Sequence, residues 1–142
     1  MKKRSAILFL ILVLVLLSAC GLRRKNPIDP YGNSDILVPD VVINLTGSVQ
    51  SSPGSTNKLV NFNWTANNPF STDGYYLYRS MSFNSSYARI DTVTVNSCIH
   101  GSKPWHTVTP GDYWYKVSAW KSYNDRRLEG PYSDRIFIRV NP

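Results

Sequence analysis

The ten residues Gly111-Asp112-Tyr113-Trp114-Tyr115-Lys116-Val117-Ser118-Ala119-Trp120 decide the fold. As a β-strand, the stretch turns alternate side chains to opposite faces. Tyr113, Tyr115, Val117 and Ala119 form one set, and Trp114, Lys116, Ser118 and Trp120 form the other. A strand with one buried face needs large apolar groups on that face only. This one carries aromatics on both, so its second face needs an explanation of its own.

Six further runs surround it, each short, alternating and bounded by turn residues. They are Val42–Val49, then Asn57–Thr65 with Val60, Phe62 and Trp64 on one face, then Gly74–Ser80 with Tyr75 and Leu77 aligned. Tyr87–Val95, a weak Ser97–His100 and Arg135–Val140 complete the set. Breakers separate them at Asn67-Asn68-Pro69, Ser71-Thr72-Asp73-Gly74 and Thr109-Pro110-Gly111-Asp112. Only three alanines follow Pro39, and Glu129 is the chain's single glutamate, so strong helix formers are scarce. Seven short strands in about 100 residues predict an all-β chain folded as an immunoglobulin-like sandwich.

The N-terminus has a different character. Lys2, Lys3 and Arg4 precede an unbroken apolar run of twelve residues, Ala6–Leu17. A spanning helix needs about 20 apolar residues, whereas a secretory signal needs a shorter apolar core. The run ends in Leu17-Ser18-Ala19-Cys20, which resembles the lipobox of bacterial lipoproteins. Small residues let a signal peptidase grip the extended chain, and the Cys20 thiol is the nucleophile that takes a lipid. The resemblance implies a signal peptide over 1–19, lipidation at Cys20, and a membrane partner reached through the anchor. Gly21, where inner-membrane lipoproteins carry Asp, implies the outer membrane of a bacterial envelope. An ordinary signal peptide with an incidental Cys is the alternative.

Residues 20–38 read as the lipidated Cys and a flexible tether, with Pro27, Pro30 and Gly32 breaking any period. Eighteen residues between Cys20 and Pro39 reach about 60 Å when fully extended. The whole chain carries a net charge of +7. Without residues 1–19, thirteen cations face nine acids, and from Pro39 onward ten face seven. Three of the cations, Arg23, Arg24 and Lys25, flank the anchor, where they meet anionic headgroups or simply stay solvated. The balance is no nucleic-acid footprint.

Residues 39–142 resemble a fibronectin type III domain. The resemblance rests on Val60-x-Phe62-x-Trp64-Thr65, Gly74-Tyr75-x-Leu77-Tyr78-Arg79, Val108-Thr109-Pro110-Gly111-x-Tyr113-x-Tyr115-x-Val117-Ser118-Ala119 and Gly130-Pro131-x-Ser133. It implies a core role for Trp64 and a tyrosine corner at Tyr113, whose hydroxyl bonds back to the preceding loop. One residue fewer separates Pro110-Gly111 from Tyr113 than is usual, and Ser97 to Trp105 fits the pattern poorly.

Catalysis finds little footing. Cys98, His100 and His106 are too few for a zinc site without acids to complete it, and nothing orients a base for a thiol nucleophile. No phosphate loop, hydrolase elbow or cofactor motif occurs. With Cys20 lipidated, Cys98 has no intramolecular partner and reads as a small core filler. The Asn124-Asp125-Arg126-Arg127 stretch reads as a loop that either meets an acidic partner or is solvated. Two functional classes remain. One is a non-catalytic binding or adhesion module for an envelope protein or glycan. The other is a structural spacer or accessory subunit of an envelope assembly. Period two places Tyr76, Tyr78, Trp114 and Trp120 together on the outer face of one sheet. That predicts either an exposed aromatic binding patch or cross-strand pairs that stabilise the sheet, with Lys116 covering a ring.

Overall fold

The computed structural model describes residues 28–50, 58–103 and 107–142. Cys20 and the signal region lie outside them, as do Trp105 and His106. Eight strands run through the described residues: β1 (Thr46–Gln50), β2 (Leu59–Asn63), β3 (Gly74–Ser80), β4 (Ala88–Val93), β5 (Ser97–His100), β6 (Gly111–Tyr123), β7 (Arg126–Tyr132) and β8 (Ile136–Val140). They form two antiparallel sheets, ordered β1-β2-β5 and β4-β3-β6-β7, with β8 also pairing β6.

The core lies between the sheets and follows period two. From the small sheet come Val60, Phe62 and Cys98; from the large one come Tyr75, Leu77, Tyr113, Tyr115, Val117 and Ala119. Trp64, just past the end of β2, is buried with them. Phe62 meets Tyr115 with ring centroids 4.6 Å apart, and Trp64 meets Tyr75 edge-on at 5.2 Å. Such pairs add about 0.5–1.5 kcal/mol beyond the area they bury. The Tyr113 hydroxyl donates to the Thr109 carbonyl oxygen at 3.0 Å, as the resemblance implied.

Two strand expectations change. The first run starts later than Val42, because Asn44 takes a left-handed conformation (φ 56°) that interrupts extended pairing. Val42 is nevertheless buried. The second change is larger, since Arg126–Tyr132 is a strand rather than a loop. Asn124 and Asp125 both have positive φ (46° and 64°) and close a two-residue hairpin between Tyr123 and Arg126. Turns of this hand match the twist of the flanking strands.

β7 and β8 share the edge of β6, and the chain is irregular between them. The β6–β7 register shifts between Ser118 and Trp120, leaving one extra residue on β7 near Gly130 and Pro131. Proline has no N–H to give a ladder, so it belongs at such a bulge. Ser133 then patches the gap. Its N–H donates to the Val117 carbonyl oxygen at 2.7 Å, and its Oγ accepts from the Val117 N–H at 3.0 Å. Asp134 and Arg135 are thereby released from pairing and stand exposed.

The N-terminal segment engages the sandwich as early as Ile36, which is buried. The Tyr123 hydroxyl clamps Leu37 from both sides, accepting from its N–H at 2.8 Å and donating to its carbonyl oxygen at 3.0 Å. Pro39 is fully buried against Gly130, where an added Cβ would collide with the Pro39 carbonyl.

Candidate functional site

The outer face of the five-stranded sheet carries the aromatics that period two places there. Tyr76 and Tyr78 come from β3 and Trp114 and Trp120 from β6. Tyr76, Tyr78 and Trp120 are brought together, whereas Trp114 pairs with Ser80 at the other end of the strand pair and does not join them. They do not form an exposed patch, the first of the two arrangements expected for this face. Tyr76, Trp120 and Tyr78 retain only 4%, 6% and 8% of their accessible surface. Trp114 is half-buried.

Three features close these rings over. Trp120 lies against its cross-strand partner Gly74, where an added Cβ would sit 2.6 Å from the indole. Tyr76 stacks on Trp120 with centroids 5.9 Å apart and meets Tyr78 edge-on at 6.4 Å. Long cationic side chains then lie across the rings. Arg89 Cζ is 4.5 Å from the Tyr76 centroid, and Arg127 Cζ is 4.1 Å from that of Trp120. The aliphatic stems of such residues cover apolar surface while the charged heads stay wet.

The same alternation continues to the other end of the sheet. Lys116 Nζ approaches Tyr132, Tyr87 and Tyr78, at 3.3, 4.7 and 5.7 Å from their centroids. Arg135 Cζ stands 4.4 Å from Phe83 and 5.6 Å from Tyr87. Trp114 is wedged between Phe83 (4.9 Å) and Phe137 (5.2 Å), and Arg139 caps Phe137 at 5.6 Å. Rings and cations therefore form one continuous ladder, the second of the two outcomes expected for this face and longer than Lys116 alone. The sequence reading missed Phe83, Tyr87, Arg89, Tyr132 and Arg135, and it put Arg127 in a loop. The available signal was the outward period of Arg135-x-Phe137-x-Arg139.

The charges on this face are unevenly paired. Asp112 binds Arg139 through both carboxylate oxygens, at 2.8 and 2.9 Å, which holds its carboxyl below the usual range. Glu129 Oε1 accepts from the Tyr78 hydroxyl at 2.7 Å and from Ser118 Oγ. Burial, followed by this carboxylate, pushes the Tyr78 phenol well up. Among the described residues, Arg89, Lys116, Arg127 and Arg135 are in no ion pair. Burial and the neighbouring Arg135 lower the Lys116 pKa.

The interior offers less. Cys98 is buried and its Sγ donates to Asp91 Oδ2 at 3.3 Å. Burial and then the Asp91 charge push the thiol up to about 12, which leaves no thiolate for chemistry at neutral pH. Asp91 itself is held low: burial raises it, but Lys103 Nζ and the Thr92 N–H outweigh that. His100 Nδ1 is 3.2 Å from the Tyr115 hydroxyl. No cluster of three or more His, Cys, Asp or Glu side chains among the described residues is placed to hold a metal ion.

No protein-family model and no curated protein sequence matches the chain. Among solved structures, a fibronectin type III domain derived from the human KIAA0970 protein is similar, with TM-score 0.51 and 15% identity over 70% of this chain and 72% of that one. An Fn3-like protein from Clostridium thermocellum is similar at TM-score 0.49 and 24% identity, over 70% of this chain and 86% of that one. The described residues thus form one immunoglobulin-like β-sandwich, similar in fold to fibronectin type III domains.

Proposed function

We propose that the chain is an envelope lipoprotein, lipid-anchored through Cys20 in the outer membrane, whose sandwich is a non-catalytic binding module working through the outer face of the five-stranded sheet. The observation that carries this reading is the ladder itself. Arg89, Lys116, Arg127 and Arg135 stand on aromatic supports and are in no ion pair among the described residues. Side chains held on rings lose less freedom on binding, so the face is pre-organised for an anionic ligand. The thiol of Cys98, protonated and buried, supports a non-catalytic role. The anchor rests on the signal run and the Leu17-Ser18-Ala19-Cys20 box.

The clamp of Tyr123 on Leu37 supports a second reading, that of a spacer. A linker fastened to the sandwich holds its orientation relative to whatever precedes it. Cell fractionation and a pull-down from solubilised membranes separate the possibilities. Cys20→Ser should leave the membrane fraction, and continued membrane association at unchanged size would contradict the anchor. Arg89→Gln with Arg127→Gln should release the retained envelope material. Unchanged retention of a stoichiometric protein partner would favour the spacer.

A further inference from the structure

The break between β7 and β8 leaves a hollow on the ladder. It measures about 550 Å³ and is lined by Phe83, Lys116, Tyr132, Ser133, Asp134 and Arg135. Small-molecule sites fall at about 300–1,000 Å³. Phe83 and Tyr132 keep 46% and 47% of their surface exposed, unlike the closed rings at the other end of the sheet. Each ring carries a cation over one face, Lys116 on Tyr132 and Arg135 on Phe83, and keeps the rest of its exposed surface open to the hollow, with Asp134 at the edge.

We propose that this hollow binds one carboxylated sugar unit of an acidic glycan chain, so that the glycan lies along the ring–cation face. The inference rests on the face being the binding surface. Each lining group has a part. An aromatic ring presents a flat apolar surface to the C–H face of a sugar. Lys116 and Arg135 meet the carboxylate, and the guanidinium is shaped to grip it with two parallel hydrogen bonds. Asp134 accepts from sugar hydroxyls. Arg89 and Arg127, farther along the sheet, meet carboxylates of later units.

A protein partner fits this face less well. Protein interfaces place a desolvated apolar centre inside a polar rim. Here even the touching rings Phe83, Trp114 and Phe137 lie under charge, with Arg135 over Phe83 and Arg139 over Phe137, so the face presents cations rather than a bare apolar centre. Burial first, and then the charge of Arg135, lower the Lys116 pKa, and an anion placed between the two cations offsets the second of these.

The test uses detergent-solubilised full-length protein and polygalacturonate, with its methyl ester as the matched neutral polymer. Binding to the acid form should exceed binding to the ester at least tenfold and should weaken as salt is raised. Arg135→Gln should weaken it about tenfold, one good charged contact's worth, and should lower the melt only modestly as its contacts to Phe83 and Tyr87 are lost, so binding is read well below the melt. Wild-type protein competed with galacturonate oligomers gives the same answer without any substitution. Equal binding of acid and ester, or DNA or phosphatidylglycerol vesicles binding as tightly as the acid polymer, would overturn the inference. If polygalacturonate fails to bind while Arg89→Gln with Arg127→Gln still releases envelope material, the sugar site is wrong and the face remains the binding surface. If that double variant also releases nothing, the face itself is wrong.

Discussion

Lys116 Nζ stands 3.3 Å from the centre of the Tyr132 ring, joining β6 to the end of β7 across the outside of the sheet. The second aromatic face of Gly111–Trp120 therefore has a cover of its own, made of charge rather than of a third layer.

Lys116→Met keeps the stem and removes the charge. Each cation–ring contact at an exposed site is worth about 0.5–1 kcal/mol, and Lys116 makes three. Relief of the partly buried charge returns some of that. A net loss of about 1 kcal/mol is expected, a drop of about 4–8 °C in melting temperature for a domain of this size. A variant that melts higher would mean that charge burial outweighs ring contact.

Trp64→Ala should cost about 3–5 kcal/mol, since a large buried ring leaves a cavity. Against a typical total of about 5–15 kcal/mol, this brings the sandwich near unfolding. Tyr113→Phe removes only the hydroxyl contact to Thr109 and should cost about 1 kcal/mol. Urea denaturation of both variants gives the comparison. A Trp64→Ala protein as stable as wild type would contradict the core assignment.

These core positions were legible in the sequence because period two and the turn residues agree on them. Val60, Phe62, Tyr75, Leu77, Tyr113 and Tyr115 all face inward as expected. β7 was not legible. Arg126, Arg127, Glu129, Gly130 and Pro131 have weak strand propensity, and the strand exists because the hairpin at Asn124-Asp125 brings it onto β6. The aromatic patch was half legible. Strand period put Tyr76, Tyr78, Trp114 and Trp120 on one face, but which long side chains lie over them depends on register between strands distant in sequence.

The Cys98 thiol should resist alkylation in the folded protein at neutral pH, with modification following unfolding. Its folded pKa of about 12 lies above its ordinary 9.0, so folding favours the neutral thiol. The stability this contributes is complete below pH 9.0 and is lost as pH rises from there towards 12. Rapid labelling without denaturant would contradict the buried placement.

Asp91 gives the opposite pH dependence. Its folded pKa is depressed below 3.8, so its contribution is present above that value and is lost as pH falls through the folded pKa. Asp91→Asn should lower stability at neutral pH and flatten the acid limb of a denaturation series taken below pH 3.8. An acid limb as steep as wild type would place the sensitivity elsewhere.

The central claim is that the outer face of the five-stranded sheet is the binding surface. Thr92 is exposed on that face beside Tyr76, and Ile99 is exposed on the opposite sheet. A photo-activatable residue at each position, irradiated in intact cells, tests the claim most directly. Adducts with envelope material from position 92 and none from position 99 are predicted. Adducts from position 99 with none from position 92 would contradict it.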